Sequence, residues 1–117
     1  MSESDELETA RQQFAAHVQA EEAIMNSSAP SAARANKHVE ATDALVDEWA
    51  DRGIVKKVLV PLLDSPEAAL RCAAASYLLY HGESERAAAI LEELASDDSL
   101  GSVASSADTA LLAWEQE

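Results

Sequence analysis

His17 and Glu21 stand four residues apart in a run that reads as helix, with Glu22 beside them. That spacing places two side chains on adjacent turns of one helical face, where they could act as metal ligands. A metal site, and with it a metal-dependent enzyme, is the chemistry this pair would serve. Against it, helical carboxylate sites draw several inward-facing ligands from more than one helix, and neither Glu-x-x-His nor His-Glu-x-x-His occurs in the chain. A solvated helix face is the competing reading, and neither a metal nor another cofactor is expected. His38 and His81 are isolated from one another and from any Ser, Cys or Asp in a nucleophile's context. Gly53, Gly82 and Gly101 lie far apart and follow no confident strand, so no phosphate-cradling loop is present. With no seat for catalysis visible, the expectation is a protein that is not an enzyme.

The most coherent polar pattern is different in kind. Asn36, Glu40, Asp43, Asp47 and Asp51 follow one another at steps of four, three, four and four. On a helix these five form a stripe about 100° from the apolar one. Two readings stand side by side: a docking face for a basic protein partner, and a solvated face that keeps a small protein in solution. Trp49, Tyr77, Tyr80 and Trp114 invite a similar pair of readings, as interface anchors or as packing residues, and Trp49 and Tyr77 fall on core stripes. Trp114, near the carboxy terminus, would cap the end of a helical stack or meet a second copy in a homodimer through the terminal helix.

The whole chain carries this acidity. Its 117 residues have a net charge of −14, split evenly, with 11 acidic and 4 basic side chains in residues 1–53 and the same counts in residues 54–117. Such a surface repels nucleic acid and anionic lipid and attracts basic partners over about 8 to 10 Å at ordinary ionic strength. Neither nucleic acid nor membrane is therefore an expected partner. With three Lys against five Arg, the composition also fits adaptation to a high-salt cytoplasm, in which case charge says nothing about partners. The first residues are acidic where a secretory leader is basic, and no apolar run approaches the ~18 residues of a membrane span, so a cytoplasmic location is expected. Cys72, the single cysteine, with Ala69, Ala73 and Ala75 nearby in sequence, reads as a buried small hydrophobe.

The elements that must position these residues are helices, because the apolar content is dominated by Ala and Leu and turn residues are scarce. Leu7, Ala10, Phe14, Val18 and Met25 make one amphipathic stripe; Ala35, Val39, Val46 and Trp49 make a second, with Thr42 filling the one step that is not apolar. Ser27 to Pro30 turns between them, and Gly53 ends the second helix as a C′ residue. Residues 54–63 could be a buried strand or a short buried helix; the following Ser65 and Pro66, read as N-cap and N1 of a helix carrying Leu70, Ala74, Tyr77 and Leu78, decide for helix, since a lone strand would lack a partner. Gly82 closes that helix. Ser84 is then a possible N-cap for a helix with Ile90, Leu91 and Leu94, Asp97-Asp98-Ser99 is a turn, and the last helix carries Val103, Ala107, Ala110, Leu111 and Trp114.

A shift of 33 residues superimposes Leu70, Ala74, Leu78 and Leu79 on Val103, Ala107, Leu111 and Leu112, and a shift of 32 superimposes Val58, Leu59 and Leu62 on Ile90, Leu91 and Leu94. The segment LVPLLDSPEAALRCAAASYLL, from Leu59 to Leu79, resembles a HEAT-type repeat over less than a third of the chain: an apolar first helix containing Pro61, then Asp64, Pro66 and Arg71, then a small-residue second helix. The resemblance implies that Asp64 and Arg71 hydrogen-bond or ladder within and between repeats. The last helix pair departs from the pattern, with Ala104 where the Arg would fall. The whole chain is also similar to an uncharacterised bacterial family of small HEAT-like proteins, the domain-of-unknown-function family two thousand nineteen, through Ala35-Asn36-Lys37-His38, LVPLLDSP from Leu59 to Pro66, AAASYLLYH from Ala73 to His81, and AAAILEELA from Ala87 to Ala95. That likeness implies a fold and no activity.

The expected architecture is all-α: one domain over residues 1–117 with residues 1–4 frayed, and six helices at about 5–26, 29–52, 54–63, 66–81, 85–96 and 99–115. They would form three antiparallel hairpins, a HEAT- or armadillo-like α-solenoid fragment. The expected function is a non-catalytic protein-interaction module with an acidic surface. An immunity or inhibitor protein that neutralises a basic toxin is the alternative, and a metal-dependent enzyme using His17 and Glu21 comes third.

Overall fold

The computed structural model describes residues 2–116, and among them every regular element is helical. Six α-helices occur: α1 (Glu3–Met25), α2 (Ala32–Arg52), α3 (Val55–Leu59), α4 (Ala68–Leu78), α5 (Ser84–Ala95) and α6 (Ser102–Glu115). Two 3-10 turns, Val60–Asp64 and Asp98–Leu100, lead into α4 and α6. Internal contacts group the chain into two compact units, Met1–Val58 and Leu59–Glu117.

In the first unit α1 packs along α2. The stripes on the two helices deliver Phe14 and Val18 to the core from one side and Val46 and Trp49 from the other. The Phe14 and Trp49 rings meet at 6.1 Å and a 52° tilt, a geometry that brings an edge of one ring toward the face of the other. Met25, at the end of the first stripe, is exposed instead. Thr42 is buried among these apolar side chains because its hydroxyl donates to the Val39 carbonyl at 2.8 Å, so no polar atom is stranded.

Of residues 1–4, Met1 lies outside the described residues, Glu3 and Ser4 are helical, and the Ser2 hydroxyl accepts the Asp5 N–H at 3.3 Å as an N-cap. Ser31 caps α2 in the same way through the Arg34 N–H. Gly53 ends α2 at φ 70°, where its N–H reaches the Ala50 carbonyl at 3.1 Å and the Ile54 N–H reaches the Trp49 carbonyl at 2.9 Å. Those two bonds constitute a Schellman motif.

The helix expected over 54–63 is instead α3 followed by a 3-10 turn, and Pro61 supplies the reason. Proline has no N–H to donate four residues back, so the α pattern cannot continue past it and the Lys57 carbonyl is left open. Arg11 of α1 fills the vacancy, with Nη2 donating to the Lys57 carbonyl at 2.9 Å and Nε to the Val58 carbonyl at 3.0 Å.

In the second unit α4 packs against the Val60–Asp64 turn, α5 and α6, and α5 packs against α6. Leu70, Ala74 and Leu78 of α4, Leu91 and Leu94 of α5, and Ala107 and Leu111 of α6 are buried. Cys72 is buried and unbridged, as its neighbours foretold. Two cap assignments need correction. Helix α4 begins at Ala68, not Pro66; the Ser65 hydroxyl accepts the Glu67 N–H at 3.1 Å across a bend instead of capping the helix. Ser84 is the first residue of α5, with Glu83 in the cap position. The last helix starts three residues later than expected, after Gly101, whose φ of 58° and ψ of −117° belong to glycine alone.

Candidate interaction surface

Asn36, Glu40, Asp43, Asp47 and Asp51 are all exposed along α2, on a face flanking that of Val46 and Trp49. The stripe has this geometry because the core-facing positions of a 21-residue helix fix its rotation, leaving the flanking positions to water. The basic residue nearest the stripe's C-terminal end, Arg52, is engaged elsewhere, in an ion pair with Glu6 of α1. Lys57 is likewise taken up by Glu3 at 2.8 Å, which holds the Glu3 carboxyl below its ordinary value through the hydrogen bond and then through the lysine's charge. The stripe is thus a row of four carboxylates and one amide, with exposed Lys37 beside its first residue.

The structure gives His17 a partner that the sequence did not offer. Its Nδ1 lies 3.0 Å from Nδ1 of His38 on α2, with the ring centroids 5.3 Å apart and the planes tilted by 44°. Both rings are half-buried. Glu21, one turn beyond His17, is half-buried too, and burial pushes its carboxyl above the ordinary value, against the opposing pull of His38 and with a further push from Glu22. Among the described residues no group of three or more His, Cys, Asp and Glu is arranged to hold a metal ion. No spacing rule could have paired His17 with His38, since only the register of α1 against α2 brings them together.

The repeat residues of the second unit also meet partners other than one another. Arg71 donates from Nη1 to the Ser65 carbonyl at 2.7 Å, fastening the start of α4 to the bend before it. The Asp64 carboxylate faces Arg86 of α5 at 3.4 Å through both oxygens. Pro66 is exposed in the bend, two residues ahead of α4. These groups rim an open cleft of about 660 Å³ whose floor includes Leu63, Ile90 and Leu94, and whose charges balance, Asp64 and Glu93 against Arg71 and Arg86. Elsewhere on this unit Tyr80 and Leu112 are about half exposed, at 52% and 50%, while Tyr77 and Trp114 are half-buried.

No family model, curated protein or solved structure matches this chain. No helix among the described residues is long and apolar enough to cross a membrane.

Proposed function

We propose that this chain is a non-catalytic interaction module built of HEAT-like helix hairpins, and that the acidic side of α2 docks a basic protein. The observation that carries the reading is the exposure of all five stripe residues along one helix, on a face flanking the one that packs into the core. A surface of this kind steers a basic partner and sets its register, at small cost in stability because nothing there is desolvated before binding. The hairpin reading draws support from the pairings of α1 with α2: Glu6 meets Arg52, Phe14 meets Trp49 and His17 meets His38, so residue numbers rise on one helix as they fall on the other. In the second unit, Asp64 pairs with Arg86 of α5, whereas the HEAT resemblance implies its role together with Arg71.

The test compares two variants of equal net charge as bait. One carries Glu40→Gln, Asp43→Asn, Asp47→Asn and Asp51→Asn; the other neutralises Glu85, Glu92, Asp108 and Glu115, which are exposed on the second unit. Proteins retained by the native chain at about 0.1 M salt should be released near 1 M, lost with the first variant and kept with the second. Equal retention by both variants would show that α2 is only a solvated face.

A further inference from the structure

The contact between His17 and His38 is more restrictive than an ordinary surface hydrogen bond. Each ring offers the same atom, Nδ1, and the two lie 3.0 Å apart. The centroid separation of 5.3 Å is close to that distance plus the two ring radii, so the nitrogens point nearly along one line, as an N–H···N bond requires. Such a bond needs one protonated and one bare Nδ1. Two neutral rings satisfy it only as opposite tautomers, one carrying its proton on Nδ1 and the other on Nε2. One added proton leaves the bond intact, because a charged ring donates from Nδ1 to a neutral neighbour and the bond becomes charge-assisted. A second added proton leaves two N–H groups face to face, with no acceptor and two like charges in a half-buried place.

We propose that these two histidines form a proton-counting clasp between α1 and α2, closed while the pair holds at most one extra proton and opened when both rings are charged. The surrounding groups suit the singly charged state. From α1, Glu21 lies one turn beyond His17 and close enough to His38 to feel its charge, with Glu22 next to it. From α2, Arg34 lies one turn before His38 and Lys37 adjoins it, both exposed to water. The cations at the opposite end of α1, Arg52 and Lys57, are held by Glu6 and Glu3. Glu21 is therefore placed to offset one positive charge on the rings. The inference stands apart from the docking reading of α2, since it concerns the joint between the helices and needs no partner.

Two measurements on the full chain test it. The first follows the imidazole nitrogens by NMR, with His81, on the turn after α4, as an internal reference. At pH 8 His17 and His38 should show opposite tautomers, and on acidification their protons should arrive in two separated steps. The second compares proton uptake on unfolding in the native chain and in His17→Gln and His38→Gln. At pH 5 the native chain should take up about one more proton on unfolding than either variant, because the unfolded chain charges both rings and the folded one resists the second. Matching tautomers at pH 8 would overturn the clasp, as would single-step titration of both rings or equal proton uptake in all three proteins. The NMR arm needs no substitution, so it decides the matter even if a variant fails to fold.

Discussion

Arg11 and Thr42 show how single side chains settle the polar accounts of this chain. Arg11 supplies donors to the Lys57 carbonyl that a proline leaves open and to the neighbouring Val58 carbonyl, and Thr42 returns its own hydroxyl proton to the Val39 carbonyl. Neither was legible in the sequence: Thr42 read as a flaw in an apolar stripe, and Arg11 did not stand out at all. Local bonds such as that of Thr42 follow from chain geometry, whereas the partner of Arg11 lies 46 residues away and depends on tertiary placement. The same holds for His17, whose visible neighbour was Glu21 and whose actual neighbour is His38. Glu21 itself carries a prediction. Burial raises its carboxyl above the ordinary value, so the ionised form is penalised in the folded state at neutral pH, and the penalty fades as pH falls through the raised value. Glu21→Gln, neutral throughout, should unfold at a slightly higher temperature than the native chain at pH 7. The gain should lie within about 0.5 kcal/mol, given how much of the group faces water, and vanish near pH 4. Thermal unfolding followed by circular dichroism at the two pH values checks the sign.

At the scale of elements, the long helices were readable because their signals are redundant. In α1 the apolar period repeats over Leu7, Ala10, Phe14 and Val18, and in α2 the period and the terminal glycine agree that the helix ends at Arg52. Between Ile54 and Ala68 the signals compete. An apolar run, a proline within it and a Ser-Pro pair after it permit several local structures, and the sequence rules chose one continuous helix and a helix start two residues early. The outcome turned on Pro61, whose missing N–H converts the second half of that run to a 3-10 turn. Gly53 gives this scale its prediction. A Cβ built there meets nothing within 4 Å, so Gly53→Ala introduces no clash and isolates the cost of forcing a side-chain-bearing residue to φ 70°. Denaturant unfolding should show a loss of about 1 kcal/mol, while Gly53→Asn, which tolerates the left-handed region better, should lose less. Equal stability of all three proteins would mean that the Schellman turn relaxes freely.

For the molecule as a whole, composition spoke to the helical class and to charge, and stopped short of a site. The boundary between the two compact units falls within a short helix, where no Pro, Gly or Ser enrichment marks a linker. A net charge of −14 on 117 residues sets the remaining expectation. Self-repulsion among exposed carboxylates opposes compactness, and the exposed ion pairs that salt would weaken, Glu6 with Arg52 and Asp64 with Arg86, contribute little to stability. Raising sodium chloride from about 0.1 M to about 1 M should therefore raise the melting temperature. A fall would mean that attraction between specific pairs outweighs the general repulsion.

The two tryptophans fall one to each half of the chain, Trp49 sealed beside Phe14 and Trp114 partly open to solvent. Their indoles consequently sense different surroundings, and light emitted from the sheltered one is shifted to the blue of the other and shielded from a dissolved quencher. The chain thus carries its own pair of optical reporters, able to tell whether its halves come apart together or in turn, without any label being attached.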